Sequence, residues 1–391
     1  MGETASSRSR SVHCRAVSGY EDAAAADAAV ESIFAVCACT RQLGAQSHVL
    51  LKPNLLSRHV PAHAVTTHPA VVRAAVRACI ARGVLPANIT VADSSGGVYN
   101  PGVMKSTYAV CGMTAVCEET GAQLYTACES APRKTDGVLV HEFNLIAPVH
   151  AADFIIDLPK AKTHVMTGIS GAVKNLFGTV PGLQKAEFHM RFPDKERFGA
   201  MLADLYACVA PQLCIVDGIM GMEGDGPAGG SPRALGVLLG GEDAYTIDLA
   251  LCRMMGADAE AVPYLRAGME RGACPRTLDL ALLCGDAAAA APVPDFRLPA
   301  SAHDINFVNR TPRAIRWAVP GMENLIAPHP KVEPKKCIGC GRCAEICPAH
   351  TITLRGGKAH INSRNCIRCF CCHEMCPAKA IAVKRFGAFR L

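Results

Sequence analysis

Strand-like apolar runs alternate with helix-like segments over most of this 391-residue chain, and a cysteine-rich tail follows. The alternation predicts an α/β fold, a mostly parallel sheet with helices on both faces. Polar clusters fall at the ends of the apolar runs, where ligands collect in such sheets. A repeated cysteine spacing near the C-terminus predicts a separate, small α+β module.

In chain order, SVHCRAV reads as a strand and the Ala-rich EDAAAADAAVESIFAVCACT as a helix. SHVLLKPNLL is a buried strand stopped by a Lys-Pro-Asn turn, and HPAVVRAAVRACIARG is an amphipathic helix closed by Gly83. NITVADSSGG is a strand running into a Gly-rich loop, MTAVCEETGAQ a helix, and ADFIIDLPKAKTH a strand then a loop. ERFGAMLADLYACVA, LCIVDGI and EDAYTIDLALCRMMG follow as helix, strand and helix. The expected boundaries are a mobile tail over 1–12, the α/β domain over 13–298, a Pro-rich linker over 299–334 and the cysteine module over 335–391.

Cys337, Cys340, Cys343 and Cys347 stand in a C-x2-C-x2-C-x3-C-P run. Cys366, Cys369, Cys372 and Cys376 repeat it 29 positions later (366 minus 337), and Pro348 and Pro377 close the two copies. Three thiolates at this spacing wrap three corners of an iron-sulfur cube, and the fourth corner needs a ligand from elsewhere. In two-cluster runs the fourth Cys of each copy ligates the other cluster. This assigns Cys337, Cys340, Cys343 and Cys376 to one 4Fe-4S cluster and Cys366, Cys369, Cys372 and Cys347 to a second. Zinc is the alternative for paired C-x2-C, but gives no reason for a third Cys at x2 in both copies. Cys371 falls outside the register and reads as a non-ligand thiol. The tail resembles bacterial two-cluster ferredoxins, which implies a ferredoxin-like α+β fold.

The remaining twelve of the 21 cysteines are scattered, many in apolar runs, where a free thiol behaves as a small hydrophobe. A long chain with this usage points to a reducing cytoplasm, that of an anaerobe, rather than to a disulfide framework. No apolar stretch suits a signal peptide or a membrane span. The formal charge is +6, but residues 331–391 hold twelve Lys and Arg against three Glu, a formal +9, leaving −3 elsewhere. Without aromatic interleaving, this basic tail argues against nucleic acid and for an acidic redox partner of ferredoxin or flavodoxin type, or for simple compensation of cluster charge.

The densest polar stretch, DLPKAKTHVMTGISGAVKNLFGTVPG, holds Lys160, Lys162, His164, Lys174 and Asn175. Cations among small residues directly after a buried strand suit a small anionic ligand. With Lys52, Asn54 and Glu223 they form the expected substrate-binding set, and His164, His189 and Asp217 are candidates to move protons. Gly224, Gly226 and Gly229 formally match G-x-G-x-x-G, but Pro227 interrupts them and a strand pattern follows, so no dinucleotide loop is expected.

KPNLL, TTHP, DLPKAKTH, GAVKNLFG, VDGI and MEGDGPAGG, in that order over roughly residues 45–275, resemble the family known as domain of unknown function three-six-two. Members are often fused to two-cluster ferredoxin tails, so the resemblance implies architecture and leaves the reaction open. SGAVKNLFGTVPG is also similar to the segment of nickel-pincer lactate racemases whose lysine attaches the cofactor, with Lys174 at that position. Three readings follow: an oxidoreductase passing single electrons to or from a small anion, an electron carrier whose α/β domain only docks, and a racemase-like enzyme.

Overall fold

A computed structural model describes residues 9–299 and 328–384. Most of the stretch read as a linker, and the first eight residues of the expected tail, lie outside the described residues.

The α/β domain is built on a ten-stranded sheet with the order β12-β1-β11-β10-β7-β2-β3-β4, and β8 pairs with β10 and β9. Its strands are β1 (Val12–Ala16), β2 (Val49–Pro53), β3 (Ile89–Val91), β4 (Gln123–Leu124), β7 (Phe154–Leu158), β8 (Lys160–His164), β9 (Gly168–Ser170), β10 (Leu213–Glu223), β11 (Ser231–Gly241) and β12 (Leu283–Gly285). β5 (Ser130–Lys134) and β6 (Glu142–Ile146) form a separate hairpin. The central pairs β2–β3, β2–β7 and β7–β10 are parallel, while β1 and β10 both run antiparallel to β11. The sheet is therefore mixed but mostly parallel.

Period-two burial explains why both faces are covered. Val49, Leu51, Ile156 and Ile215 pack on one side with Ile33 and Phe34 of α1 (Ala23–Val36) and Val72 and Val76 of α2 (Pro69–Ala81). Leu50, Ile155, Cys214 and Val216 face the other side, with Phe198 and Leu205 of α8 (Lys195–Val209), Leu251 of α9 (Ala244–Met255) and Leu265 of α10 (Pro263–Glu270). The scattered Cys14, Cys79, Cys214 and Cys252 are core residues in these layers. Asp22, Asp194 and Asp243 start α1, α8 and α9 by accepting backbone N–H groups of the first turn.

One element differs from the expectation. Lys160–His164 is a strand rather than a loop, because the chain re-enters the sheet after Pro159 to pair with β10. Its five residues are all buried, which sinks the two lysines into the protein.

The C-terminal module repeats itself in three dimensions at the same 29-residue offset. β13 (His329–Val332), the helix Arg342–Glu345 and β14 (Ile352–Arg355) recur as β15 (Lys358–Ile361), the helix Cys371–Glu374 and β16 (Ile381–Lys384). Left-handed backbone at Gly339, Gly341 and His350 recurs at Arg368, Phe370 and Lys379. β13 pairs with β16 and β14 with β15, so every strand pair joins the two copies. β13 lies within the stretch read as linker, yet its pairing makes it part of the module.

Candidate functional site

The parallel strands β2, β3 and β7 end side by side, and each leads to an ionisable side chain: Lys52, Asp93 and Asp157 respectively. Lys52 Nζ meets Asp93 Oδ1 at 2.8 Å and donates to the Pro53 carbonyl at 2.9 Å. Asn175 Nδ2 donates to Asp157 Oδ1 at 2.8 Å, and Asn54 Nδ2 donates to Asn175 Oδ1 at 2.8 Å. Lys162 Nζ closes the row, donating to Asn54 Oδ1 and to the Val65 carbonyl, each at 2.8 Å. Gly178 passes against Lys52 and Asp93 so closely that any side chain there would overlap them.

Asn175 and Lys174 reach this row on α6 (Ala172–Asn175), the short helix after β9. Buried Asp248 of α9 fixes its start, accepting from Ala172 N at 2.7 Å and Val173 N at 3.0 Å. α7 (Gln184–Arg191) then brings Lys185 and His189, four residues apart on one helix face. Lys185 Nζ donates to the carbonyls of Ser94 (2.8 Å) and Val180 (2.6 Å). His189 stacks on Phe198, and its buried Nδ1 has no hydrogen-bond partner among the described residues.

Together these side chains line a cavity of about 660 Å³, mouth included. Its wall carries Lys52, Lys162, Lys174 and Lys185 against Asp93 and Glu374, a formal excess of two positive charges. Lys52 is paired with Asp93, and Lys162 and Lys185 hold neutral oxygens. No hydrogen bond ties the Lys174 ammonium to another described residue.

Glu374 comes from the other end of the sequence. The cluster module lies over the cavity, and Glu374, Met375, Ile346 and Cys371 complete its wall. Phe370 packs with Val165, His373 Nε2 faces the Asp225 carbonyl at 3.1 Å, and Lys379 Nζ donates to the Gly230 carbonyl at 3.2 Å. The loop read as a failed dinucleotide motif is thus a docking platform. A side chain at Gly229 would overlap His373.

Burial sets the protonation. It lowers Lys162 well below the usual lysine range, with Lys174 adding to the effect. It also lowers Lys174, and takes Lys185 to about 7. Burial and neighbouring Lys174 push His164 down to about 3, so its imidazole is neutral at neutral pH. His164 Nδ1 accepts from Met166 N at 3.1 Å and Thr167 N at 3.3 Å, which leaves the proton on Nε2. That Nε2 lies 3.1 Å from Glu374 Oε1, off the ideal hydrogen-bond line. Burial alone would raise Glu374, but facing His164, Lys174 and His189 outweigh it and hold the carboxyl at about 2.

The expected set therefore divides. Lys52, Asn54, Lys162, Lys174, Asn175 and His189 share the cavity wall, and His164 touches it through Glu374. Lys160 and Asp217 do not line it: Lys160 Nζ contacts Asp217 Oδ2 and Tyr20 Oη, both at 2.8 Å, and Tyr20 Oη donates to Asp217 Oδ1 at 2.6 Å. His68 N also donates to Asp217, so both residues are held in a closed network away from the cavity. Glu223 is likewise occupied, holding Arg297 through Oε1 at 2.7 Å. Sequence reasoning missed Lys185 and Glu374, and placed Asp93 among the strand-end polar clusters without giving it a role. The Lys185-to-His189 spacing was a usable signal, whereas Glu374 had none before the domains were docked.

Within the module, Cys337, Cys340, Cys343 and Cys376 line one space of about 330 Å³, and Cys347, Cys366, Cys369 and Cys372 line its counterpart of about 310 Å³, mouths included. The copies exchange their fourth cysteines as they exchange strands. Cys347 Sγ accepts from Thr351 N at 3.4 Å, and Cys376 Sγ accepts from Ala380 N at 3.1 Å, the same bond 29 residues on. Such N–H donors are the ones that stabilise cluster thiolates. Among the described residues, no three His, Cys, Asp or Glu converge on a point that would hold a single metal ion. Four thiols spread around a largely apolar space fit a cube rather than one zinc ion. Cys371 lines both the second of these spaces and the lysine cavity.

Comparison with known proteins agrees with this division. Residues 49–253 match the family model described as Domain of unknown function (DUF362), and residues 329–377 match a 4Fe-4S dicluster domain, which supports iron-sulfur electron transfer. The thylakoid-associated protein sll1697 of Synechocystis sp. is 33% identical over 236 residues, 59% of this chain and 70% of that protein. A Thermotoga maritima crystal structure aligns at TM-score 0.36 and 12% identity, over 59% of this chain and 58% of that one. The lactate racemase apoprotein of Thermoanaerobacterium thermosaccharolyticum aligns at TM-score 0.38 and 12% identity, over 65% and 59%. The chain spans less than two thirds of the length of either solved structure. Among the described residues no helix is long and apolar enough to cross a membrane.

Proposed function

This chain belongs to the family described as Domain of unknown function (DUF362) and carries a 4Fe-4S dicluster domain, and from that premise we propose that single electrons pass between its C-terminal module and a small anion held in the lysine-lined cavity. The observation that carries this reading is Cys371, one wall of both the cavity and the second thiol-lined space. The two sets of four cysteines would hold two 4Fe-4S clusters, which supply one-electron transfer.

The chain's own residues supply the rest. Lys174, whose ammonium has no hydrogen-bond partner among the described residues, is the anchor for the anion, and Lys162, held in place by Asn54, is the second amine, whose protonated form a bound anion would favour. Neutral His189, its Nδ1 unpartnered, is placed to accept and return a proton as charge on the anion changes. The docked module covers part of the cavity, and the low-dielectric surroundings of its buried amines strengthen each of these interactions. Lys160, Asp217 and Glu223 have structural roles.

The test is anaerobic purification with iron, sulfide and nickel analysis, mass spectrometry of co-purified small molecules, and a screen of reduced holoprotein against organic acids. The reading predicts a bound or converted anion, lost in Lys174→Met with iron content unchanged. Cluster-loaded protein that neither binds nor converts any anion would leave the α/β domain as a docking platform only. Nickel in the preparation would favour the racemase-like alternative.

A further inference from the structure

The two thiol-lined spaces differ in where they open. The second is covered: Cys369 and Cys372 are buried, and Cys371 backs onto the lysine cavity. The first opens to solvent, because Cys340 alone of the 21 cysteines is exposed. Two large apolar side chains that line this space, Ile338 and Leu354, are 68% and 46% exposed. A single exposed leucine is ordinary, but two at the mouth of one space form a patch. The Gly356–Gly357 turn presses on Gly339 so closely that a side chain there would overlap the Gly357 carbonyl. The β14–β15 hairpin and the Cys337–Gly341 loop are therefore one surface.

Cations surround it. Lys335, Lys336 and Arg355 are exposed, and Arg342 and Lys358 are half-buried. Against these five stand two carboxylates, exposed Glu345 and half-buried Glu333, the latter 2.8 Å from Lys336. The five also outnumber those carboxylates together with the roughly two negative charges of an oxidised four-thiolate cube. An apolar centre within a charged rim is the anatomy of a transient docking face.

We infer that this face receives an acidic one-electron carrier protein, so that electrons enter at Cys340 and leave at the covered end beside Cys371. The inference rests on the cluster reading of the cysteines. With an acidic flavodoxin as probe, the flavin hydroquinone anion loses one electron to become the neutral semiquinone. The cube gains that electron, and no proton moves.

The experiment uses anaerobic full-length protein of verified iron and sulfide content. Zero-length carbodiimide cross-linking to flavodoxin, read by mass spectrometry, should place the links at Lys335 and Lys336. Binding and cluster reduction should weaken steadily with added salt. Lys335→Glu and Arg355→Glu should each lower flavodoxin association about tenfold at low salt, a typical size for losing a rim charge, with dithionite reduction unchanged. Links confined to other surfaces, or rates indifferent to salt and to both substitutions, would overturn the inference while leaving the clusters in place. Absence of iron and sulfide would overturn it together with the cluster reading.

Discussion

Glu374→Gln is the most informative single substitution, because this carboxylate joins the two domains and lines the cavity. Its side chain is 10% exposed and the facing His164 is fully buried. Glutamine preserves the volume, so no cavity term enters and only the charge is removed. Taking one partner from a buried pair costs about 3–5 kcal/mol when the other charge is left uncompensated. Two features reduce that figure. His164 is already neutral, and Lys174, already lowered by burial, sheds part of the penalty by releasing a proton. About 2–3 kcal/mol then falls on docking, or roughly 30- to 150-fold in an equilibrium. Unfolding of a two-domain metalloprotein is not two-state, so hydrogen exchange is the better assay. The amides of Glu374 and Met375, bonded to the carbonyls of Phe370 and Cys371, should exchange faster by that factor with iron content unchanged. A small anion entering the cavity would replace the lost counter-charge and restore the proton on Lys174, so small anions should bind more tightly. Unchanged exchange together with weaker anion binding would refute Glu374 as the counter-charge of Lys174.

Four further outcomes are expected. Lys52→Met strands the buried carboxylate of Asp93 and should cost about 3–5 kcal/mol, read as a lower thermal midpoint that Lys52→Met/Asp93→Asn partly restores. Phe370→Gly relieves about 1–2 kcal/mol of left-handed backbone strain but gives up about 2–3 kcal/mol of aromatic burial against Val165 and Val383. Net loosening of the module by about 1 kcal/mol, measured by hydrogen exchange, is therefore expected. Cys371→Ala should retain the full iron and sulfide content, whereas Cys369→Ala should lose about half, since each cube takes four thiolates. Burial raises Asp157 to about 8, with Lys52 and Asn175 opposing. A carboxyl raised on folding adds stability that is complete below its unfolded value and fades as pH climbs through about 8. Asp157→Asn should therefore flatten the fall in thermal midpoint between pH 4 and 8.

Much of this architecture was legible before any coordinates. Runs such as HVLLKP and FIIDLP are apolar on both faces, a pattern that only a sheet covered twice produces, and they became β2 and β7. The cysteine register, read as a two-cluster pattern, groups the thiols as the two spaces do, with Cys376 beside Cys337, Cys340 and Cys343 and Cys347 beside Cys366, Cys369 and Cys372. Strand ends located Lys52, Asn54 and Lys162 at the cavity. The residues that fall elsewhere, or were not named, share a cause. Lys160 and Asp217 looked equally well placed, but their register on β8 and β10 pairs them with each other, and no local pattern encodes that pairing. Glu374 became visible only through the docking of a module more than a hundred residues away. A strand of lysines and a histidine, KAKTH, reads as a loop until a neighbouring strand supplies its partners.

The central claim is that a thiolate-held cluster lies directly beside an anion-binding cavity. Pulsed electron paramagnetic resonance on reduced holoprotein soaked with inorganic phosphate measures this distance most directly. A phosphorus-31 hyperfine coupling to the cluster spin is predicted, present in the native chain and absent in Lys162→Met/Lys174→Met with its iron intact. A fully reduced, iron-replete protein that shows no coupling to phosphate or to carbon-13-labelled carboxylates would contradict the account.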